Sequence, residues 1–342
     1  MGTSIGGPAR NLMVRGSFAC GARADDGHAP SFCLVRRHRV GGFERHAISR
    51  AAPSSMPDQI PPRDQASRRC LLILGCGFVG TEAARQALAA GQRVVGTTRD
   101  PAKLSELRAQ GIDAHLTPAL NEQTVGALAP PDADVLVTFA PDGFSDLAVA
   151  PSLSPRRVVY LSTTGVYGDA RGRVDERTAT DANSPRAAVR LAAEALYQSE
   201  GGLLLRAAGI YGPGRGLHRR LLDRSFRLPG AGTNVVSRIH VSDLASIALS
   251  ALSADASTWT HLSGRAFPVA DDAPVPQIEA IRWLVARLGV EMPASAPIDE
   301  VSPTLRHDRA VDNSAIKRAL GIELRYPSYR EGFAACIADE NA

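Results

Sequence analysis

The sequence predicts a doubly wound α/β fold, in which helices cover both faces of a parallel β-sheet. Three observations predict it. From Cys70 onward, apolar runs of strand length alternate with helical stretches, the runs are continuously apolar, and the first of them ends in a glycine-rich turn. Strands that are buried on both faces read as continuous apolar segments, which is typical of parallel sheets with helices on either side.

The predicted elements alternate as strand and helix, and no internal repeat is evident. Their order is strand LLILG, helix FVGTEAARQALAAG, strand RVVGTTR, helix PAKLSELRAQG and then, partly separated by a polar stretch, the strands IDAHLTPA, DVLVTFAP and RRVVYLSTTGVYG. Strands joined through helices in this way build a doubly wound sheet, whose ligands bind at the carboxyl ends of the strands.

The leader, residues 1–69, lacks sustained periodicity and is rich in Arg, Ser, Ala, Gly and Pro. Such a segment buries too little apolar surface to offset its ordering entropy, so we expect it to be disordered. Two interpretations stay open. Its Arg-rich, acid-poor character is similar to that of an organellar transit peptide, or translation starts at Met56, just before the first strand.

Composition excludes several classes of protein. The leader holds 11 arginines and five acidic residues, whereas the rest of the chain holds 28 basic and 30 acidic residues, so the main body has no basic excess that would indicate a nucleic-acid partner. No apolar run approaches the roughly 20 residues of a membrane span. The five cysteines are scattered without C-x-x-C spacing, which argues against disulfides and a zinc site and favours the cytoplasm.

The glycine turn in LGCGFVG has the spacing G-x-G-x-x-G and predicts a dinucleotide site, because it follows a predicted strand and opens a predicted helix. Gly75 permits the tight turn, Gly77 lets the backbone approach a pyrophosphate, and Gly80 allows close packing of helix on strand. The helix begins near Phe78, and its first residues, Phe78 and Val79, present N–H donors and a positive dipole to the phosphates.

The end of the second strand decides which dinucleotide is bound. Binders of NAD place an acidic residue there to hold the ribose 2′-hydroxyl, whereas this chain has Thr97, Thr98 and Arg99. Hydroxyls and a guanidinium suit a 2′-phosphate, so NADP(H) is favoured; Asp100 keeps NAD(H) possible. The candidate cofactor contacts are Gly75, Gly77, Phe78, Val79, Gly80, Thr97, Thr98, Arg99, Ala140, Pro141 and, from the resemblance described next, Arg190.

Four motifs in order, LGCGFVG, VVYLSTTGVYGD, LLLRAAGIYGPGRG and SRIHVSDLASIALSAL, resemble the epimerase/dehydratase branch of the extended short-chain dehydrogenase/reductase superfamily. The resemblance covers about residues 70–255. It implies a Rossmann domain (70–208 and about 235–253), a smaller C-terminal substrate domain (209–234 and about 254–342) and an active site between them. It also implies a small-molecule substrate and possible homodimers.

Members of this superfamily use a Ser or Thr, a Tyr and a Lys for general acid/base catalysis. The resemblance places Thr163 at the Ser/Thr position, but the expected Y-x-x-x-K is absent. In SPRAAVRLAAEALY, alignment puts Arg186 on the tyrosine and Arg190 on the lysine. Arg190 can still bind the nicotinamide ribose, whereas Arg186 cannot replace a phenol because a guanidinium does not deprotonate in proteins. The chain therefore resembles atypical members of the superfamily.

Other residues near the predicted cleft are candidates for proton transfer. Tyr167 and Tyr211 come from turns expected at the carboxyl ends of strands, where they either donate a proton or pack and shape the cleft. Tyr167 is the candidate catalytic residue of the two. His240 in IHVSDLA is more typical of a buried, hydrogen-bonded packing residue than of a base.

Two departures from the family pattern bear on the substrate. Only 14 residues separate DVLVTFAP from RRVVYLS, which predicts a shortened helix between them. Sugar-nucleotide members commonly place an arginine a few residues before I-H-V, where this chain has Val236, and Arg238 directly precedes Ile239. Arg206, Arg215 and Arg238 either face an anionic substrate or form ion pairs. Both departures argue against a sugar-nucleotide substrate.

Two functional hypotheses follow. The first is an NADP(H)-dependent oxidoreductase or epimerase-like enzyme that acts on a small polar metabolite. In it Thr163 is the hydroxyl donor, Arg190 binds the ribose, and the proton comes from water, the substrate or Tyr167. The second is a catalytically silent NADP(H)-binding protein that senses redox state or binds a partner. Loss of nucleotide binding is a weaker third interpretation, because the glycines are intact. We expect neither a metal nor a membrane or nucleic-acid partner.

Overall fold

A seven-stranded parallel sheet forms the centre of the protein and confirms the predicted doubly wound fold. The computed structural model describes residues 69–128 and 130–341. The prediction of a disordered leader therefore lies outside the described residues, apart from Arg69. No helix within the described ranges is long and apolar enough to cross a membrane.

The strands are β1 (Leu71–Leu74), β2 (Val94–Thr98), β3 (Asp113–Leu116), β4 (Asp134–Val137), β5 (Val158–Thr163), β6 (Gly172–Val174), β7 (Leu203–Ala207), β8 (Gly209–Tyr211), β9 (Leu228–Pro229), β10 (Val235–Val236), β11 (Arg238–His240), β12 (Ala266–Val269), β13 (Val275–Pro276), β14 (Ser295–Ala296) and β15 (Arg309–Val311).

The helices are α1 (Phe78–Ala89), α2 (Pro101–Ala109), α3 (Glu122–Leu128), α4 (Ser145–Val149), α5 (Pro185–Ser199), α6 (Leu217–Leu222), α7 (Val241–Leu252), α8 (Ala256–Leu262), α9 (Gln277–Leu288), α10 (Ser314–Leu320) and α11 (Tyr329–Asn341). Short 3-10 turns follow α4 and β5 and precede β15.

The strand order β12-β7-β5-β4-β1-β2-β3 places a switch point between β1 and β4. Leu71 of β1 pairs with Val94 of β2 on one side and with Asp134 of β4 on the other. From β1 the chain winds outward through β2 to β3, then returns to β4 and winds the other way. The loops after β1 and β4 therefore part from each other, and this opens a crevice at the carboxyl ends of the strands.

Each face of the sheet carries its own apolar core, because the strand side chains point alternately to the two faces. Helices α1 and α7 pack on one face around Ile73, Leu136 and Leu244. On the other face, α5 and the short α4 segment pack around Leu72 and Tyr160. The continuous apolar runs of the sequence are thus explained by burial on both sides.

A third core belongs to the smaller C-terminal part and joins α6, α9 and α11 through Tyr211, Leu221, Ile281 and Phe333. Strand β12 lies outside this core and pairs with β7 at the edge of the main sheet. The sheet thus extends past residue 253, where we expected the dinucleotide-binding part to end, and residues of the predicted substrate domain complete it.

The segment between β4 and β5 is shortened, as its length predicted. Helix α4 has five residues and runs into the 3-10 turn Ala150–Leu153. The sheet is still covered there, because Val149 and Leu153 are fully buried. The loop from residue 138 to residue 144 consequently lies close to the switch point, where it can take part in a site.

Asp271 is a buried carboxylate just after β12. It is 2% exposed, and its Oδ2 has no hydrogen-bond partner among the described residues. Burial raises the pKa of Asp271 to about 7, although Arg238 lowers it in part. A buried carboxylate with one unsatisfied oxygen destabilises the folded chain when it is ionised.

We expect Asp271 to make the protein less stable as the pH rises from about 4 to about 7. Its pKa in the folded chain is above the ordinary value of about 3.9, so the stabilising contribution of the protonated form is present at low pH and is lost through this window. Asp271→Asn, measured by urea unfolding at several pH values, should gain stability relative to wild type as the pH increases. The exposed Asp132→Asn serves as control, and identical pH profiles for Asp271→Asn and wild type would contradict the assignment.

Candidate functional site

The glycine turn between β1 and α1 lies at the switch point and has the geometry that its spacing predicts. Gly75 has φ +99°, and a Cβ there would lie 2.8 Å from the backbone nitrogen of Phe139. A Cβ on Gly80 would lie 2.6 Å from the carbonyl oxygen of Gly75. Around Gly77, by contrast, a Cβ would meet nothing within 4 Å. The turn is therefore closed on its protein side and open at Gly77, where a phosphate would approach.

The first turn of α1 is suited to an anion. Helix α1 begins at Phe78, its N-cap Gly77 provides no side-chain hydrogen bond, and no acidic residue lies in its first turn. The N–H groups at the start of a helix carry the positive end of its dipole. Phe78 and Val79 therefore lie where a pyrophosphate would be bound.

Thr97 and Thr98 are not directed toward a ligand. Thr97 is buried, and its Oγ1 accepts a hydrogen bond of 2.9 Å from the N–H of Gly75. Thr98 is also buried, and its Oγ1 accepts a hydrogen bond of 3.1 Å from the N–H of Asp100. This differs from the expectation that both hydroxyls face a 2′-phosphate. The two threonines shape the turn and the strand end, and only Arg99 of the three is exposed.

Arg99 reaches across the crevice to the loop after β4. Its Nη2 lies 2.6 Å from Asp142 Oδ2 and 2.9 Å from Ser145 Oγ, and its guanidinium carbon lies 5.9 Å from the centre of the Phe139 ring. Partial desolvation raises the pKa of Asp142, but hydrogen bonds from Ser145, Phe144 and Arg99 outweigh it and hold the pKa well below its usual range. Asp142 is therefore ionised.

Ala140 and Pro141 follow β4 on the other side of the switch point, exposed and half-buried respectively. Thr138, just before them, donates its hydroxyl hydrogen to the carbonyl oxygen of Gly75. This bond ties the end of β4 to the glycine turn. The structure thus brings these two candidate contacts to the same crevice as Gly77.

Cys76 within the turn is a packing residue. A Cβ on Gly96 of β2 would lie 2.5 Å from its Sγ, so the sulfur fills the space above that glycine. Burial raises the pKa of the Cys76 thiol to about 12. The thiol is therefore uncharged and unreactive at neutral pH.

Thr163 ends β5, two strands from β1 in the sheet, and is half-buried. Its Oγ1 accepts a hydrogen bond of 3.1 Å from the N–H of Gly165, which leaves the hydroxyl hydrogen available for a ligand. The buried Arg309 of β15 donates 2.8 Å and 3.0 Å hydrogen bonds to the carbonyl oxygens of Thr164 and Gly168. Sequence analysis did not identify Arg309, because only the pairing of β15 with β6 brings it here.

The two arginines that the alignment places at the Tyr and Lys positions have different environments. Arg190 donates a 2.9 Å hydrogen bond to the hydroxyl of Tyr160 and a 3.2 Å hydrogen bond to the carbonyl oxygen of Leu161, so it is anchored to β5. Arg186 lies in the first turn of α5 and is exposed. Only Arg190 is thus fixed against the strand that carries Thr163.

Tyr167 is 1% exposed, and its hydroxyl donates a 3.2 Å hydrogen bond to the carbonyl oxygen of Asp175. Burial raises its pKa. Of the two alternatives for Tyr167, its burial and its hydrogen bond favour packing inside the turn after β5 over proton donation in the crevice. The short turn sequence GVYG is compatible with either placement, so the sequence alone could not decide.

The other tyrosines do not replace it. Of the six in the chain, five are buried, at 2% exposure or less. The sixth, Tyr326, packs against His240 in a tilted arrangement, with 4.1 Å between ring centres and 52° between ring planes. His240 is itself buried and accepts a 3.2 Å hydrogen bond from the N–H of Ser242 through Nδ1, and burial lowers its pKa to about 4. It is a neutral packing residue, as the sequence indicated.

A buried ion pair joins β7 to α5. Arg206, 8% exposed, donates from Nη2 to Glu194 Oε2 at 2.7 Å and from Nε to Oε1 at 3.1 Å. Ser162 donates its hydroxyl hydrogen to the same carboxylate, and Arg206 Nη1 lies 3.4 Å from the Tyr167 hydroxyl. Arg206 is therefore a structural residue and does not face a substrate. A charged residue within the apolar strand LLLRA was the signal for this pair.

The remaining two arginines of interest also differ. Arg238 is buried, and its Nη1 donates to the carbonyl oxygen of Val236 at 3.3 Å. Arg215 is exposed in the turn after β8, and its guanidinium carbon lies 5.1 Å from the centre of the Phe78 ring. Arg215 thus lies beside the first turn of α1, where its charge adds to that of the helix dipole.

Comparison with known proteins connects this crevice to a family. The model of the NAD dependent epimerase/dehydratase family matches residues 71–262, more than half of the chain. Protein YeeZ of Escherichia coli strain K12 is 29% identical over 282 residues, which are 75% of this chain and 95% of YeeZ. A 3-diazoavenalumate denitrifying reductase of a Streptomyces species is 31% identical over 146 residues, 38% of this chain and 45% of that protein. The matched part thus spans less than half of the reductase.

Solved structures have the same fold as this chain. A functionally unknown conserved protein from Silicibacter pomeroyi superimposes with a TM-score of 0.68 at 32% identity, covering 80% of this chain and 100% of that one. The UDP-glucuronic acid 4-epimerase of Bacillus cereus, in complex with UDP-glucuronic acid and NAD, superimposes with a TM-score of 0.63 at 18% identity, covering 80% and 99%. At such identity the second likeness concerns the fold alone.

We expect Gly80→Ala and Gly77→Ala to fail in different ways. The new methyl group at residue 80 would press on the backbone oxygen of Gly75, so Gly80→Ala should lose about 1–3 kcal/mol of stability. Gly77→Ala has room and should unfold like wild type, but its methyl group should weaken dinucleotide binding. Urea unfolding and calorimetric titration with NADPH and NADH measure the two effects. Equal stability of Gly80→Ala and wild type would refute the packing argument.

Proposed function

Because the chain belongs to the NAD dependent epimerase/dehydratase family, we propose that it is an NAD(P)-dependent oxidoreductase or epimerase-like enzyme that acts on a small polar metabolite, with NADP(H) favoured. The family and the fold that the motifs predicted are confirmed. The observation that carries the proposal is the placement of the open Gly77 and the donor hydroxyl of Thr163 at one edge of the sheet.

The crevice fits a dinucleotide. The space beside the Gly77 Cα is open, since a Cβ there would meet nothing within 4 Å, and Phe78 and Val79 would hold the pyrophosphate. Ala140 and Pro141 would line its path toward β5, and Arg190 would lie beside the nicotinamide ribose. The nicotinamide supplies or accepts a hydride when bound. The remaining task of the protein is to position the substrate and to manage one proton.

Thr163 would position the substrate oxygen by donating its hydroxyl hydrogen, because its acceptor side is already bound to the N–H of Gly165. Arg309 keeps this turn in place through two carbonyl oxygens. Arg190 would stabilise negative charge that develops on the substrate oxygen. Positive charge and a hydroxyl thus replace part of the missing pair.

The proton has a different source from that in the Tyr-Lys members. Tyr167 is buried and bound to a carbonyl oxygen, and Tyr211 is buried against α11 at Gly332. We therefore propose that water or the substrate itself supplies the proton. Water is a poorer acid than a phenol whose pKa has been lowered, so turnover should be slower than in enzymes that keep the pair.

The substrate that we propose is smaller than a sugar nucleotide. Val236 occupies the region where sugar-nucleotide members commonly place an arginine, and Arg238 is buried and bound to the Val236 carbonyl oxygen. Neither can hold a diphosphate. The match to a reductase favours a carbonyl or another reducible group as the reacting centre, whereas the Bacillus cereus epimerase binds UDP-glucuronic acid.

A second candidate function is supported by one observation. Arg190 is engaged with Tyr160 and Leu161, and no tyrosine offers an accessible phenol beside Thr163 within residues 69–128 and 130–341. A catalytically silent NADP(H)-binding protein that reports redox state to a partner would need the cofactor crevice alone.

Thr163→Val should lower turnover about 10- to 100-fold, because the substrate oxygen loses its hydrogen-bond donor, while affinity for the dinucleotide stays unchanged. Thr163→Ser keeps the hydroxyl and is the matched control. Activity is followed as NADPH oxidation with a panel of small carbonyl compounds and sugar nucleotides. If wild type turns over none of them, the enzymatic proposal fails.

Arg99→Ala should weaken NADPH binding at least tenfold, about 1.4 kcal/mol, and leave NADH binding nearly unchanged, because only NADPH carries the 2′-phosphate. Calorimetric titration with NADPH, NADP+, NADH and NAD+ measures this. Arg93→Ala is the matched control, since Arg93 is also exposed and ion-paired, with Asp113 at 3.2 Å. An equal loss for NADH and NADPH would argue against the 2′-phosphate role.

The sensor proposal predicts a structural difference between the two redox forms. Amide hydrogen exchange of residues 138–153 and 209–217 should differ between the NADP+ and the NADPH complex. Identical exchange in both complexes, together with measurable turnover, would contradict the sensor proposal and support the enzymatic one.

A further inference from the structure

The ion pair between Arg99 and Asp142 joins the ends of two strands that flank β1. Arg99 follows β2 directly, and Asp142 lies in the loop after β4. Their closest side-chain atoms, Nη2 and Oδ2, are 2.6 Å apart. The pair thus spans the carboxyl edge of the sheet beside the glycine turn, on the side where Arg99 would meet a 2′-phosphate.

Asp142 is fixed in this position by its own loop. Its Oδ1 accepts hydrogen bonds from the N–H groups of Phe144 at 3.0 Å and Ser145 at 2.7 Å. Its Oδ2 accepts a 2.7 Å hydrogen bond from the hydroxyl of Ser145, in addition to the bond from Arg99. The carboxylate cannot turn away without losing three bonds, so it faces any ligand that approaches Arg99.

Arg99 is less restrained than its partner. Its side chain is 47% exposed, against 31% for Asp142, and its contacts with Ser145 and the Phe139 ring are those of a long side chain lying over the loop. The neighbouring Asp100 adds a second negative charge and is bound to the N–H of Ala102 at 2.9 Å. An incoming phosphate therefore meets a guanidinium that is already paired with Asp142, with the carboxylate of the adjacent Asp100 as a second negative charge.

We propose that Asp142 is a specificity-determining residue whose carboxylate competes with the 2′-phosphate of NADP(H) for Arg99, and so narrows the preference for NADP(H) over NAD(H). The inference rests on the proposed function, since it needs a dinucleotide at the glycine turn. A 2′-hydroxyl carries no charge and leaves the ion pair intact, whereas a 2′-phosphate has to displace Asp142 or share Arg99 with it at the cost of like-charge repulsion.

The test removes the carboxylate and keeps the loop. Asp142→Asn retains an oxygen that accepts from Phe144 and Ser145, and Asp142→Ser is a second variant that keeps a capping hydroxyl if the first is unstable. The dissociation constants of NAD+ and NADP+ are measured by calorimetry with the full chain. We expect the ratio Kd(NAD+)/Kd(NADP+) to rise about fivefold, the upper size of an exposed ion pair, with Kd(NAD+) nearly unchanged.

Two further measurements isolate the competition. In an Arg99→Ala background, Asp142→Asn should change the ratio Kd(NAD+)/Kd(NADP+) very little, because there is no guanidinium for the carboxylate to release. Asp113→Asn, which removes the partner of Arg93 at the start of β3, is the matched control and should not alter the ratio. Thermal unfolding of each variant shows that it is folded.

The outcomes separate the inference from the proposed function. An unchanged or lower ratio in Asp142→Asn, or an equal rise in the Arg99→Ala background, overturns the competition even where wild type prefers NADP+. A rise that needs Arg99 supports it, and if wild type nevertheless prefers NAD+, only the proposed cofactor preference fails. If wild type binds neither dinucleotide, both are overturned.

Discussion

The shape of the crevice at the carboxyl ends of the strands depends on how closely helix α1 approaches strands β1 and β4. A Cβ on Gly80 would lie 2.6 Å from the Gly75 carbonyl oxygen and 2.9 Å from Thr138 Oγ1, so only glycine allows this separation. The same carbonyl accepts the Thr138 hydroxyl, and the N–H of Gly75 is bound by Thr97. The buried Thr97 of β2 and the half-buried Thr138 after β4 thus fix the turn, and the donors of α1 are aimed at the crevice as a consequence.

The loss of the Tyr-Lys pair is matched by a concentration of fixed guanidinium groups around β5. Arg190 is bound to Tyr160 and Leu161, and Arg206 is bound to Glu194. A guanidinium stabilises negative charge but does not donate its proton. Arg206 is held in the interior by its own counter-ion, whereas Arg190 is half-buried at the end of β5.

The C-terminal part of the chain contributes to the site without a motif of its own. Strand β15 pairs with β6, and Arg309 thereby binds two carbonyl oxygens of the turn after Thr163. Strand β12 pairs with β7 and is the outermost strand at that edge of the sheet. The segments between residue 209 and residue 341 thus both complete the Rossmann sheet and support its candidate catalytic turn.

The sequence by itself determined the sheet, the glycine turn, the short α4 and the absence of a Y-x-x-x-K pair, because these follow from apolar runs, spacing and residue identity within short stretches. Tertiary structure decided where the side chains point. The side chains of Thr97, Thr98 and Tyr167 are buried and bind backbone groups. Arg206 pairs with Glu194, and Arg99 pairs with Asp142. Except for the bond of Thr98, the partners in these pairs are separated by 8 to 43 residues in the sequence. A local sequence pattern carries no information on which polar groups will meet once the strands are aligned. Hydrogen-bond satisfaction in the folded chain makes that choice.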